Sequence, residues 1–150
     1  MAKRLPPNPL QSEILQSVSS AKTKTEKINI LKEYRNPALV SLLIWNFDES
    51  VQSALPEGDV PFTANENEVP EGLSRLSSSY RTFYNFIESG NRDITRTRRE
   101  SLYIELLESL HESEAKLMCL VKDKKIGSKY RITKNVVAEA YPDIVWGNRS

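Results

Sequence analysis

The 150-residue chain is 39% hydrophobic and 27% charged with a formal net charge of +1, the balance of a soluble globular domain, which argues against a disordered or a membrane class. No apolar run approaches the roughly 18 residues of a membrane span, and the basic start MAKRLPPNPL has no apolar stretch behind it, so it is no signal peptide and the chain reads as intracellular. A single cysteine, Cys119, and a single histidine, His111, exclude an internal disulfide and leave too few ligands for a zinc site.

Residues 1–8 read as a tail in which Lys3 and Arg4 serve solubility or touch a polyanion. Asn8-Pro9 has the form of an N-cap followed by proline at the first helical position, and Leu10, Ile14, Leu15 and Val18 form the stripe of a first helix that ends in the polar run 19–25. Thr23 and Glu26 have capping-box spacing for a second helix, carried by Ile28, Leu31 and Tyr34 to about Arg35. Asn36-Pro37 repeats the cap-plus-proline signal. The run from Ala38 to Phe47, or as far as Ala54, is apolar on several sides and predicts a central buried helix. In that setting Trp45 and Phe47 read as core residues ahead of a base-stacking platform.

Leu55 to Gly72 holds three prolines, two glycines and five acids. It reads as an irregular loop: an acidic spacer, a lid over a basic face, or a docking strip for a basic partner. Over the wider range Asp48–Glu71 there are seven acids and no base. Leu73, Leu76, Tyr80, Phe83, Tyr84 and Ile87 predict an amphipathic fourth helix stopped by Gly90-Asn91. Thr97 and Glu100 have the spacing of another capping box, opening a fifth helix with Leu102, Tyr103, Leu106, Leu107 and Leu110. Arg96, Arg98 and Arg99 at its start oppose the helix dipole, which makes them candidates for phosphate contacts or for pairing with the acidic loop.

Leu110 to Pro142 is the stretch around which the rest is arranged, a helix, a tight basic loop and a second short helix. Ala115, Leu117, Met118, Leu120 and Val121 give the first helix its apolar face, and Val136, Val137, Ala140 and Tyr141 give the second its own. Cys119 lies in the first apolar run and reads as packing; His111 reads as a helix-junction residue. From Lys116 to Lys134 there are seven basic residues against one acid, Asp123. Gly127 and Ser128 are placed to turn the backbone sharply and Thr133 to cap the next helix, a corner able to hold a phosphate. Residues 142–150 form a tail in which Val145 and Trp146 strap back onto the core or dock on a partner. The sum is an all-α single domain over residues 1–150, of six or seven helices.

Catalytic signatures are missing. Neither G-x-x-x-x-G-K-[ST] nor G-x-S-x-G nor H-E-x-x-H occurs. The carboxylate pairs Glu105/Glu108 and Glu112/Glu114 read as solvated acids on helix faces. The expectation is a chain that is not an enzyme and needs no metal and no cofactor.

The corner carries a resemblance. L-x-x-x-x-K-D-K-K-I-G from Leu117, followed by a basic stretch and a short helix ending A-Y-P-D-I, resembles the end of the all-helical N-terminal DNA-binding domain of ATP-dependent DNA ligases, the short phage-type ligases in particular. Lys122, Asp123, Ile126 and Gly127 match that domain's basic-D-L-x-I/V-G turn, and Lys24–Leu43 is similar to its earlier helix pair. The chain also resembles a family of small uncharacterised proteins of T4-type tailed phages. The resemblance implies a ligase-like fold and a grip on duplex or nicked DNA, in the cytoplasm of an infected bacterium. It implies no sealing activity, because no K-x-D-G nucleophile motif occurs. Lys122, Lys124, Lys125, Gly127, Ser128 and Lys129 are the matched phosphate-facing turn. Arg131, Thr133 and Lys134 continue it, and Arg96, Arg98 and Arg99 are expected as a second contact. The alternative is an adaptor that docks on replication or transcription proteins through residues 48–71 or the Trp146 tail.

Overall fold

The computed structural model describes residues 5, 9–58, 60–62 and 75–149. Among them the chain forms α1 (Gln11–Ser20), α2 (Lys24–Glu33), α3 (Pro37–Phe47), α4 (Leu76–Ser79), a 3₁₀ helix (Tyr80–Asn85), α5 (Arg96–Ser109), α6 (Glu112–Lys122), a second 3₁₀ turn (Ile126–Ser128) and α7 (Lys134–Ala140). The extended pairing among the described residues is one isolated bridge between Ser53 and Ile87. The chain is all-α, and no described helix is long and apolar enough to cross a membrane.

Local chemistry starts most of these helices. Thr23, Asn36, Thr95 and Thr133 each accept a hydrogen bond from the backbone N–H three residues on, at 3.1, 2.9, 3.1 and 3.4 Å, which satisfies a donor the helix itself leaves free. Pro37 occupies the first turn of α3 as expected. Two start signals fall elsewhere. Helix α5 is capped by Thr95, and Thr97 lies inside it, because Thr95 already holds the Arg98 N–H while Glu100 turns to Arg96 at 3.4 Å. Helix α1 is entered from Leu10, whose N–H goes to Glu13 at 2.8 Å; Asn8 lies outside the described residues. Glu26 completes no box with Thr23, since its carboxylate takes the Lys22 N–H at 3.3 Å.

The fourth predicted helix is reshaped. Only Leu76–Ser79 is α-helical, and the chain tightens to 3₁₀ over Tyr80–Asn85. Ile87 leaves the helix to bridge Ser53, and Asn91 donates to the Tyr84 carbonyl at 2.8 Å. Gly90 is required there, since a Cβ would sit 1.9 Å from the Tyr84 carbonyl oxygen. Leu76 and Phe83 are buried, while Tyr84 is exposed. Leu73 lies outside the described residues.

Helix α3 is the centre predicted for it, with Leu39, Leu42, Leu43 and Trp45 buried, packed against α4 and α6 while α2 packs on α1 and α7. Trp45 belongs to the core: its indole N–H donates to Ser53 Oγ at 2.8 Å and its ring meets Phe83 edge-on at 5.4 Å. Cys119 is half-buried against the core beside the Tyr103 hydroxyl, and His111 caps α6 by accepting the Ser113 N–H at 3.1 Å.

Two buried carboxylates tie distant segments together. Glu114, read from sequence as a solvated acid, is fully buried. It accepts the Gln11 N–H at 2.9 Å and the Leu76 N–H at 3.1 Å, so one side chain holds the first turns of α1 and α4. Burial raises its pKa, opposed by those two bonds. Asp48, just past α3, accepts from the Ser50 N–H and hydroxyl, from the Gly147 N–H and from Arg149. Burial pushes its pKa up, but these donors outweigh it and hold the carboxyl well below the usual range. Through Asp48 the tail is strapped onto α3, with Trp146 under the Lys134 ammonium at 5.0 Å. Val145 takes no part in that packing and is 69% exposed.

Candidate nucleic-acid interface

The corner after α6 is built by residues of opposite orientation. Helix α6 closes at Lys122 with Asp123 as its cap, and the Lys125 N–H returns to the Leu120 carbonyl at 2.7 Å, a helix-ending turn whose left-handed position favours glycine. Here Lys124 occupies it, at φ 58°. The sharp turn was expected of Gly127, which instead lies in the 3₁₀ turn without positive φ. Lys124 is kept in a conformation costing about 1 kcal/mol because its ammonium donates to the Trp45 and Asp48 carbonyls at 2.9 and 2.6 Å. Those are carbonyls at the end of α3, where the helix dipole attracts a cation. Burial lowers the pKa of Lys124, with Asp48 and Glu49 opposing.

Lys122 goes further inward. Its side chain is 0% exposed and its ammonium meets the Pro56 carbonyl at 2.7 Å, the Gly58 carbonyl at 3.0 Å and Asp123 at 2.6 Å. Both lysines were expected on the phosphate-facing turn. The fold engages their ammonium groups with backbone carbonyls and, for Lys122, with Asp123. Asp123 also accepts the Gly58 N–H at 3.2 Å, and Ile126 is buried with its N–H on Asn46. Lys122 thereby pins the described start of the acidic loop to the corner, and Glu57 reaches Lys125 at 3.3 Å. Asp59 and residues 63–72 of that loop lie outside the described residues.

Lys125, Gly127, Ser128, Lys129, Arg131, Thr133 and Lys134 are exposed. Ser128 donates to the Lys125 carbonyl and Thr133 caps α7, so their hydroxyls serve the backbone. Lys129 stands 5.5 Å over the Tyr130 ring. From Tyr130 the chain crosses α1 and α2. The Arg131 N–H donates to Ser19 Oγ at 2.9 Å, and the Lys27 ammonium donates to the Arg131 carbonyl at 2.6 Å and the Val18 carbonyl at 3.2 Å. Lys27 is thus held beside Arg131, and its pKa is lowered by burial first and by that positive neighbour second.

Two open grooves flank this contact. One, of about 500 Å³, is lined by Lys24, Lys27, Gly127, Tyr130, Arg131, Ile132, Thr133, Asn135 and Val136. The other, of about 660 Å³, lies at the end of α1. Neither is lined by a carboxylate. Lys24, Lys27 and Lys22 were missed as site residues. Their K-x-K-x-x-K spacing at the α1–α2 turn was a visible charge signal, but its meeting with residue 131 is not local.

The three arginines of α5 line neither groove. Arg99 donates to the Asn85 and Asn91 carbonyls at 2.8 and 2.9 Å and so secures the loop before α5. Arg96 pairs with Glu100, and Arg98 with Glu105 at 3.9 Å, both on their own helix. Among the described residues no cluster of three His, Cys, Asp or Glu could hold a metal ion.

The chain belongs to a family of unknown function, DUF6433, whose model matches residues 14–128. The match runs from within α1 to the second 3₁₀ turn and stops short of Lys129 and Arg131. No curated protein and no solved structure matches the chain.

Proposed function

We propose that the protein is a non-enzymatic DNA-binding protein that lays a phosphate backbone along the groove between α2 and residues 127–136. The observation that carries this reading is that Lys27, held by its ammonium on the Arg131 carbonyl at 2.6 Å, and Arg131 line the same two grooves, neither of which has a carboxylate in its lining. Positive side chains lining one groove repel each other, and an anion in the groove relieves that repulsion. Lys125 and Lys129, which line a neighbouring groove with Asp123, would add to the contact once Lys125 exchanges its exposed partner Glu57 at 3.3 Å. Lys24 joins it by exchanging its exposed partner Glu139, now at 2.9 Å, a pairing of little strength in water. Lys122 and Lys124 build the corner, and the likeness to the ligase DNA-binding turn therefore bears on the shape of this corner more than on the side chains that would touch DNA.

Binding of this kind is driven by counterion release and reads little sequence. With Lys27, Lys125, Lys129 and Arg131 on phosphates, log K falls with log salt at a slope of about −4. Fluorescence anisotropy with nicked, intact and single-stranded DNA at several salt concentrations measures it. Arg131→Ala is expected to flatten the slope by about 1 and weaken all duplexes alike. Salt-independent binding, or full affinity in an Arg131→Glu/Lys129→Glu variant, would sink the reading. The near-neutral net charge of +1 favours the adaptor as second reading, since dedicated DNA binders are more basic. An adaptor that uses its acidic segment would keep its protein partner in the charge-reversed variant.

A further inference from the structure

The groove at the end of α1 differs in chemistry from its neighbour. Its polar lining is Gln16, Ser19, Ser20, Lys22, Lys27 and Arg131, in an open space of about 660 Å³. Ser19 Oγ accepts the Arg131 N–H at 2.9 Å and Ser20 Oγ accepts from the Gln16 amide at 3.2 Å. Each hydroxyl therefore keeps its proton to give. Lys27 uses two of its three N–H groups on carbonyls and has one left. Neither the Lys22 ammonium nor the Arg131 guanidinium has a carboxylate within ion-pair distance among the described residues. Glu26, which takes the Lys22 backbone N–H at 3.3 Å, is outside the lining. Apart from the Gln16 carbonyl, the side chains facing this space are donors.

We infer that this cavity seats a terminal phosphate monoester, carried by the end of a nucleic-acid strand whose diester backbone follows the adjoining groove. The inference rests on the DNA-binding reading for the rest of the strand. A diester offers two non-bridging oxygens and one charge, whereas a monoester offers three oxygens and close to two charges at neutral pH. Donors arriving from the end of α1, from Lys22 and from residue 131 suit three oxygens better than two. The adjoining groove, floored by Ile132 and Val136 with Thr133 and Asn135 at its side, suits sugar and diester.

The test compares oligonucleotides of one sequence bearing a 5′-phosphate, a 3′-phosphate or hydroxyl ends, by anisotropy with the full chain. In parallel, inorganic phosphate is titrated while backbone amide shifts are followed. One phosphorylated end is expected to bind about tenfold tighter than the hydroxyl form, the worth of one charge-assisted hydrogen bond. That ratio should fall to near one in Lys22→Ala and, separately, in Ser20→Ala. Inorganic phosphate should give saturable shifts at Ser19, Ser20 and Lys22. A ratio near one in the unaltered protein, or no saturable shift at those amides, overturns the seat. Saturation by phosphate with no oligonucleotide bound at all would keep the oxyanion seat and overturn the DNA reading, so the two fail separately.

Discussion

The cations of one short stretch divide into two populations. Lys122 and Lys124 lie inward, their ammonium groups on carbonyls of the acidic loop and of α3. Lys125, Lys129 and Arg131, a few residues on, are exposed. Counting charges along the chain treats all five alike. Geometry separates those that assemble the corner from those that stay at the surface, and the separation has expected consequences of opposite kind: loss of an inward lysine costs stability, whereas under the proposed DNA-binding function loss of an outward one costs binding.

The largest expected effect is at Lys122. Replacing it with Met keeps the volume but leaves two carbonyls and the half-buried Asp123 carboxylate without their cation. Removal of one partner from a buried pair costs about 3 kcal/mol. In a domain of this size that lowers the midpoint of thermal unfolding by roughly 10 °C. Lys129→Ala, by contrast, should stay within about 0.5 kcal/mol of the unaltered protein. A Lys122→Met variant as stable as its parent would show that the inward population is not structural.

The next effect sharpens the same division through pH. Asp48 belongs to the inward set, since its carbonyl receives Lys124 and its carboxylate receives Arg149. Its folded-state pKa lies below the ordinary aspartate value of 3.8. The native state therefore binds fewer protons than the unfolded chain in that window, and the stabilisation is complete above the unfolded value and lost as pH falls through the native one. The amount is of order 2 kcal/mol. Glu114, with its pKa raised, runs the other way: its contribution is greatest below the unfolded value of 4.5 and declines as pH rises through the folded one. Comparing Asp48→Asn with the parent cancels Glu114. Urea midpoints from pH 6 to pH 2 should differ most at pH 6 and converge towards acid. A constant gap would place the stabilisation in packing rather than in charge.

Helix starts and the central place of α3 were legible because a cap joins residues three apart and an apolar run needs no partner to be recognised. Thr23, Asn36 and Thr133 all cap as their positions predict. What escaped were bonds between a side chain and a remote backbone group. Lys122 meets carbonyls 66 and 64 residues away, Lys124 others at 79 and 76, and Glu114 an N–H 103 residues away. Every residue type has the same carbonyl and nearly every one the same N–H, so such partners leave no trace in composition or spacing. The Lys27–Arg131 contact, 104 residues apart, was hidden for the same reason. The α5 arginines show the converse, a real charge misfit that local acids and loop carbonyls resolve.

The smallest expected effect tests where the corner's backbone demand lies. Sequence places it at Gly127, whereas the left-handed residue is Lys124. A Cβ at Gly127 would approach nothing closer than the Ile132 carbonyl oxygen at 4.0 Å. Gly127→Ala should therefore be neutral or stabilise the fold by about 0.5 kcal/mol, because alanine narrows the unfolded ensemble without straining the native turn. Lys124→Gly relieves the backbone but forfeits two charge-assisted bonds to the end of α3, so it should come out destabilised despite glycine's freedom. Measured side by side in urea, the pair decides the point. A loss above about 1 kcal/mol for Gly127→Ala would return the turn to the glycine, and a gain for Lys124→Gly would mean that the inward reach of its ammonium does not offset the strain.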